Sequence, residues 1–298
     1  MSFLAKELLS TVWLKELEAI GSRYRTYGLN DGLIGTFQEL VWQYSSECRR
    51  EFPWRETWDP YQILVSEIML QQTQARRVVP KYISFLEQFP DCQALADAPV
   101  SLVLEYWQGL GYNRRALSLQ RTAQLIIGER GGVFPIEEEE LQTLPGIGPY
   151  TAAAISAFAF EMPATVLETN IRRLYIQAFF TSDDLIHDRE LRALIAATVD
   201  AGQPREWYYA LMDFGHDLVE MVPNPNVRSK HYSKQSAFKG SHRQLRGKLL
   251  QLLLAGRQSI DTLIKQAGRE ATEVRSTLLE LQTEGFIFLD QDDAGLLN

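Results

Sequence analysis

Apolar residues recur at intervals of three and four along most of the first 225 residues, the spacing that lines one face of an α-helix. The clearest helical patterns lie at residues 60–74, 79–89, 99–106, 114–127 and 137–144. Alternating patterns typical of strands are nearly absent before residue 280. The chain is therefore predicted to be all-α over about residues 33–225, preceded by a helical extension over residues 1–32.

A separate pattern begins at residue 242. Three helices are predicted, over residues 242–255, after a cap at Ser259, and over 270–283. Residues 285–290 then form a predicted strand, which is followed by a predicted turn at residues 292–295. This order predicts a small winged-helix-like domain over residues 242–298. From residue 249 onward it has four basic residues against eight acids, which favours a protein partner over DNA reading.

Charge is distributed unevenly along the chain. Residues 224–248 contain seven basic residues and no acid, so that the rest of the chain carries −15 within a net charge of −8. A local basic segment suits contact with a nucleic-acid backbone, and a solvated linker is the alternative. We assign residues 226–241 as a basic linker between the two domains.

Cysteine content and hydropathy exclude several classes. Cys48 and Cys92 are the only cysteines, and they lie too far apart to form a disulfide framework or a four-thiolate metal site. No apolar run approaches the ~18 residues of a membrane span. We expect a cytoplasmic monomer that does not bind membranes.

The sequence LPGIGPYTAA at residues 144–153 predicts two helices joined by a tight hairpin at Gly146 and Gly148. The backbone N–H groups at the start of the second helix would point outward, where a phosphate is held. Such contacts position a protein on nucleic acid without reading its sequence. The backbone of this hairpin could also hold a monovalent cation.

Two glutamates are candidates for acid–base chemistry. Glu67 lies inside the apolar run of residues 63–70, where a protonated or hydrogen-bonded acid fits. An acid on a solvated helix face is the alternative. Glu168 lies just before a predicted helix over residues 171–179, for which Thr169 or Asn170 is the expected cap. Its alternative role is a favourable charge at that helix's positive end.

Three motifs closely resemble the adenine DNA glycosylases of the MutY type: SEIMLQQTQ at residues 66–74, GLGY at 109–112 and LPGIGPYTA at 144–152. These enzymes belong to the helix-hairpin-helix superfamily that also contains endonuclease III. The resemblance covers roughly residues 35–220, and it implies the glycosylase fold of two helical subdomains.

The resemblance also implies roles for particular residues. Glu67 matches the glutamate that protonates a flipped adenine, and Glu168 stands where the family has an aspartate that stabilises the cationic sugar. Asn170 matches an asparagine that supports the catalytic water. Tyr150 occupies the position of the Schiff-base lysine of endonuclease III, so that hydrolysis without lyase activity is implied. A tyrosine there contacts the catalytic acid in some relatives.

Gln72 and Tyr112 match residues that wedge into the base stack beside the lesion. An aromatic wedge can fill the gap left when a nucleotide turns out of the duplex. The two glycines before Tyr112 suit such a projecting residue.

The chain departs from the family in three places. Glu168 replaces the usual aspartate, and the C-terminal β-rich domain that recognises 8-oxoguanine in many relatives is replaced by the predicted winged helix. The four cluster cysteines are missing as well, which excludes an iron–sulfur cluster. Their places fall at about Val219, Asn226, Ser229 and Gln235. In that loop we expect DNA contacts from Arg228, Lys230, His231 and Lys234.

Together these features predict a monofunctional DNA glycosylase of base excision repair, associated with the nucleoid and bound to double-stranded DNA containing a mispaired or damaged base. Adenine opposite 8-oxoguanine or guanine is the first expected substrate. Two alternatives stay open: a glycosylase for another damaged or modified base, and a non-catalytic DNA-binding protein on the same scaffold. The C-terminal domain could recruit a protein partner.

Overall fold

A computed structural model describes residues 3–180, 185–232 and 237–297, with side chains from residue 11 onward. Helices dominate these residues, which confirms the predicted class. In chain order they are α1 Phe3–Tyr27, α2 Asp31–Cys48, α3 Pro60–Leu70, α4 Ala75–Gln88, α5 Cys92–Asp97, α6 Val100–Trp107, α7 Arg114–Arg130, α8 Glu138–Leu141, α9 Pro149–Phe160, α10 Thr169–Phe179, α11 Asp188–Thr198, α12 Pro204–Met221, α13 His242–Leu254, α14 Ile260–Ala267 and α15 Ala271–Thr283. None of the helices in this described part has the length and apolar character needed to cross a bilayer.

The chain forms two compact units, and each is built from two separate stretches of sequence. The first unit contains Met1–Phe52 and Ala152–Lys234, and the second contains Pro53–Thr151 and Gln235–Asn298. Helix α9 begins in the second unit and continues into the first. The domain boundaries inferred from the sequence, after residues 32, 225 and 241, stay a prediction.

Aromatic side chains fill the core of the first unit, where α10 packs against α1 and α12, and α12 packs against α2. The ring of Phe37 meets the rings of Tyr175, Phe179 and Trp207 edge-on. Such pairs are worth about 0.5–1.5 kcal/mol beyond the burial of their area. This packing fixes α10, which begins directly after Glu168.

In the second unit α7 packs against α3, α5 and α6. Helix α3 begins where the Asp59 side chain accepts a hydrogen bond from the Tyr61 N–H group, with Pro60 in the first turn. It ends at Leu70, four residues before the predicted end, because Gln71 has a non-helical ψ of 112° and Gln72 then adopts φ +55°. Helix α8 is also shorter than predicted, because the N–H groups of Thr143 and Leu144 bond the carbonyl groups three residues back and form turns.

The C-terminal stretch of the second unit contains α13–α15 and the strands β1 Gln258–Ser259, β2 Ile287–Leu289 and β3 Asp293–Leu296. The strands pair antiparallel in the order β1-β3-β2, and Phe288 lies opposite Gly295. The three helices and the hairpin were predicted, but the turn predicted at residues 292–295 is wrong, because β3 already begins at Asp293. Strand β1 is too short to show an alternating pattern. The winged-helix assignment of this stretch stays a prediction.

Candidate active site

Glu67 lies on α3 among apolar side chains and is only 3% exposed. The hydroxyl of Tyr150, in the first turn of α9, donates a hydrogen bond to Glu67 Oε2 at 2.8 Å. A buried carboxyl group is costly unless a partner satisfies it, and the phenol is such a partner. The structure therefore places Glu67 on a buried face of α3, which contradicts the alternative of a solvated helix face.

The hairpin after α8 is fastened to its surroundings by three polar contacts. Gln71 Nε2 donates to Thr151 Oγ1 at 3.1 Å and to the Gly146 carbonyl at 3.3 Å, and Thr122 Oγ1 donates to the Pro145 carbonyl at 2.9 Å. Gly146 has φ +78°, and a Cβ there would lie 2.7 Å from Ser118 Cβ. Gly148 has open space around its Cα, as a close approach of backbone to a ligand requires. Its phosphate contact and the hairpin cation stay predictions.

The two predicted wedge residues share an unusual backbone conformation. Gln72 has φ +55° and Tyr112 has φ +48°, in the left-handed region that side chains larger than glycine rarely adopt. Gln72 is exposed and Tyr112 is partly buried. Strained residues of this kind persist only where the surrounding structure holds them, and they cluster at functional sites.

Arg115 binds both wedge loops, which are the loops that carry Gln72 and Tyr112. Its Nη1 donates to the carbonyl groups of Ile68 and Met69, at 2.9 Å each, and to that of Gln71. Its Nη2 donates to Gly111 at 3.0 Å and to Leu110 at 3.2 Å. The guanidinium group thus caps the C-terminal end of α3 and fixes the loop before Tyr112. Burial lowers the pKa of Arg115 to about 10, so that the group stays charged at neutral pH.

In the first unit Glu168 is itself the N-cap of α10. Its Oε1 accepts hydrogen bonds from the N–H groups of Asn170, at 2.7 Å, and Ile171, at 2.8 Å. The expectation that Thr169 or Asn170 caps this helix is therefore wrong, because the helix already begins at Thr169. Burial raises the pKa of Glu168, while these N–H groups and Arg173 act in the opposite direction.

Asn170 bridges Glu168 to a buried arginine. Its Nδ2 donates to Glu168 Oε2 at 3.2 Å, and its Oδ1 accepts from Arg173 Nη1 at 2.9 Å. Both ends of the amide thus make contacts within the protein. The roles of Glu168 at a sugar cation and of Asn170 at a water stay predictions.

Gly215 on α12 allows the close approach of α12 to the first turn of α10. A Cβ at this position would lie 2.0 Å from the carbonyl oxygen of Asn170, a contact that no side chain can make. The carbonyl group of Gly215 also accepts a hydrogen bond from Arg173. The glycine is therefore needed for the geometry of the turn that carries Glu168.

We expect Gly215→Ala to lower the free energy of unfolding by about 2–3 kcal/mol, since the backbone must move to admit the methyl group. Urea denaturation followed by circular dichroism measures the change. Gly35→Ala on α2 is the matched control in the same unit, because a Cβ there meets no atom within 4 Å. Equal stability of the two variants would contradict the expectation.

The basic loop after α12 is held by backbone and side-chain contacts. Ser229 pairs with Ile186 in a parallel bridge, and Asn226 Nδ2 donates to the Thr169 carbonyl at 3.0 Å. Asn226 and Ser229 are two of the approximate positions that the sequence resemblance gave for the missing cluster cysteines. A third, Val219, is exposed, and the fourth, Gln235, lies outside the described residues.

The four predicted DNA contacts in this loop differ in their surroundings. Arg228 is partly buried and donates to the Phe180 carbonyl at 2.8 Å, whereas Lys230 and His231 are exposed. Lys230 Nζ lies 2.9 Å from His187 Nε2. Lys234 lies outside the described residues. DNA contact by these residues stays a prediction.

Comparison with known proteins shows the family to which this chain is related. Residues 65–199 match the HhH-GPD superfamily of base excision DNA repair proteins. The adenine DNA glycosylase of Mycolicibacterium smegmatis is 35% identical over 238 residues, which cover 74% of this chain and 80% of that protein. The chain belongs to the adenine DNA glycosylase family. The resemblance inferred from the sequence motifs is thus confirmed.

Other family members match over shorter parts. The adenine DNA glycosylase of Buchnera aphidicola subsp. Baizongia pistaciae is 34% identical over 193 residues. These cover 63% of this chain and 54% of that protein, so that the chain spans about half of this relative's length. The superfamily match includes Glu67, the hairpin and Glu168, whereas α13–α15 lie beyond it.

Solved structures confirm the helix-hairpin-helix glycosylase fold. A thermostable thymine-DNA glycosylase aligns with a TM-score of 0.55 and 29% identity, covering 61% of this chain and 85% of that protein. A non-covalent endonuclease III–DNA complex aligns with a TM-score of 0.53 and 17% identity, covering 67% of this chain and 98% of that protein. The second match supports the fold alone.

Sequence reasoning missed two residues that organise the family's motifs in this chain, Gln71 and Arg115. Arg115 lies on the same face of α7 as Leu119, Ala123 and Ile126, all of which are buried. An arginine on an apolar stripe is the signal that could have identified it. In the sequence, nothing distinguishes Gln71 from its neighbour Gln72.

Proposed function

We propose that this chain is a monofunctional DNA glycosylase that flips out adenine opposite 8-oxoguanine or guanine and hydrolyses its N-glycosidic bond. The observation that carries the proposal is a buried Glu67 hydrogen-bonded to Tyr150 beside the hairpin. A positioned carboxyl group can protonate the leaving base and then accept a proton from water. In the same proposal Glu168 supports the cationic sugar, as a second carboxylate does in glycoside hydrolysis.

A panel of duplexes, each carrying one mispair or lesion, tests the substrate. Single-turnover reactions followed by alkaline cleavage of abasic sites give a rate for each duplex. The proposal expects the fastest release for adenine opposite 8-oxoguanine or guanine. No release of adenine from either pair would refute it.

The panel includes thymine opposite guanine, because the chain is 29% identical to a thymine-DNA glycosylase over the aligned region. Excision of thymine or another base in place of adenine is the second candidate function. The glutamate at position 168, where the family has aspartate, would then be a feature of the altered specificity. Rates on the two mispairs discriminate between the candidates directly.

We also propose that the reaction stops at the abasic site. Lyase chemistry needs an amine that forms an imine with the sugar, and position 150 carries a phenol whose hydroxyl binds Glu67. Borohydride should therefore trap no covalent protein–DNA adduct during turnover. A trapped adduct, or strand cleavage that accompanies base release without alkali, would refute this part.

The proposed enzyme works without an iron–sulfur cluster, since two cysteines cannot supply four thiolate ligands. In place of the cluster, contacts from Asn226 and the Ser229 bridge hold the loop that carries Lys230 and His231. Metal analysis of the purified protein tests the first statement. Duplex DNA is the proposed partner, and a charge reversal at Lys230 should weaken binding to all duplexes alike.

Tyr150→Phe should slow base release about tenfold, because the carboxyl group of Glu67 loses one hydrogen-bond donor. Binding to duplex DNA should change little. Tyr106→Phe is the control in the same unit, since its hydroxyl donates to Gln88 on the protein surface. Equal rates for the two variants would show that the Tyr150 hydroxyl does not assist the acid.

Glu168→Gln should lower the rate of base release about 100- to 1000-fold, because the amide carries no charge to stabilise a cationic sugar. Its oxygen can still accept the N–H groups of Asn170 and Ile171, so that α10 should keep its cap. Rate and unfolding free energy are measured on the same preparation, with Glu168→Asp for comparison. A loss of stability without a loss of rate would show that Glu168 acts only as a helix cap.

A further inference from the structure

The N-terminal end of α13 contacts Tyr112, one of the two predicted wedge residues. Helix α13 is capped by Ser241, whose side chain accepts the Gln244 N–H group. Two residues after the cap, Arg243 Nη1 donates a hydrogen bond to the hydroxyl of Tyr112. The guanidinium carbon of Arg243 also lies 5.3 Å from the centre of the Tyr112 ring, within the range of a cation–π interaction.

Tyr112 is thus held by two arginines from different parts of the chain. Arg115 lies 5.6 Å from the ring centre and binds the loop before it. Arg243 contacts both the ring and its hydroxyl. The backbone of Tyr112, with φ +48°, is in a conformation that persists only where surrounding contacts such as those of Arg115 hold it.

Ion pairs fasten α13 to the helix that carries Arg115. Arg246 on α13 pairs with Glu284 at 2.6 Å and with Glu280 at 3.2 Å. Glu284 also binds Arg114 of α7, with Nε at 2.7 Å, and its carbonyl group accepts a hydrogen bond from Arg121 at 2.7 Å. The position of Arg243 relative to Tyr112 is therefore set by a network within one unit.

Among the described residues 237–297, Arg243 is the cation that both donates a hydrogen bond to Tyr112 and lies over its ring. The tip of the β2–β3 hairpin carries Asp290, Asp292 and Asp293, and Arg257 is paired with the first and third of these at 2.9 Å. An acidic tip repels the phosphate backbone. The hairpin tip thus differs in charge from the N-terminal end of α13, where Arg243 contacts Tyr112.

We propose that Arg243 is a positioning residue for the wedge: it holds the Tyr112 ring in the orientation that enters the base stack, so that the C-terminal stretch takes part in lesion opening. This inference rests on one part of the proposed function, namely that Tyr112 acts on duplex DNA. A preoriented ring enters the stack without first losing rotational freedom, which lowers the cost of turning the nucleotide out.

The test uses the full-length chain and a duplex with 2-aminopurine next to an adenine opposite 8-oxoguanine. The fluorescence of 2-aminopurine rises when its stacking is broken. Fluorescence change and single-turnover rate are compared for the wild type, Arg243→Gln, Arg243→Lys and the control Arg257→Gln. The control removes the same charge from an exposed position. We expect Arg243→Gln to lose most of the fluorescence change and about tenfold in rate. Arg243→Lys should recover part of both, and Arg257→Gln should match the wild type.

A Tyr112→Leu background decides whether Arg243 acts through the wedge. In that background Arg243→Gln should cause no further loss of either signal, because the ring it positions is gone. An equal loss in both backgrounds, or a loss shared by Arg257→Gln, would overturn the proposal. Thermal unfolding of each variant separates this effect from a general loss of structure.

The fluorescence signal separates failure of this inference from failure of the proposed function. If the wild type releases no adenine but shows a fluorescence change that Tyr112→Leu abolishes, the proposed substrate fails and the Arg243 variants still decide the inference. If binding produces no change that depends on Tyr112, the inference is overturned whatever the excision result.

Discussion

Glu67→Gln will bind duplex DNA with nearly the affinity of the wild type but will release its base at least about 100-fold more slowly. Glutamine has the shape of glutamate, and its carbonyl oxygen can still accept the Tyr150 hydroxyl, so that the buried site on α3 keeps its packing. The amide can neither protonate a leaving base nor accept a proton from water. The loss therefore falls on the chemical step.

Single-turnover kinetics measure the rate, and fluorescence anisotropy measures affinity for the same duplex. Glu105→Gln on α6 is the matched control, because Glu105 is exposed in the same unit. A loss confined to rate would reject the alternative of a non-catalytic DNA-binding protein. Unchanged rates of base release for both variants would show that Glu67 takes no part in the chemical step.

Arg115→Met should cost roughly 3–5 kcal/mol of unfolding free energy, because buried carbonyl groups lose a charged donor. Methionine fills much of the volume, so that the loss reports mainly the missing hydrogen bonds. Base release should fall with it, since the loops of Gln72 and Tyr112 lose their common support. Arg115→Lys should be intermediate, because a lysine keeps the charge and loses the planar fork.

Chemical denaturation gives the stability change for these variants. Arg130→Met is the control on the same helix, since Arg130 makes a surface pair with Glu140 at 2.9 Å. Such exposed pairs contribute about 0–1 kcal/mol. If Arg115→Met unfolded like the control and kept its rate, the interpretation of Arg115 as the support of both wedge loops would be wrong.

Local patterns in the sequence predicted the helices, the hairpin and the carboxylates, because helical periodicity and turn residues act over a few positions. Contacts between distant segments could not be obtained this way. Nothing local distinguishes Arg243 from the other basic residues of its segment, and its partner Tyr112 is far away in sequence. For Glu168 the sequence correctly predicted a position near the start of a helix. Its role as the N-cap could be seen only from the backbone geometry.

The interleaving of the two units along the chain has a consequence for biosynthesis. The first unit needs residues from both sides of Pro53–Thr151, and the second needs residues from both sides of Ala152–Lys234. A nascent chain emerging from the ribosome therefore cannot complete either unit while only its first half is available. Arg114 and Arg121 of α7 acquire their partner Glu284 only after about 160 further residues have been made.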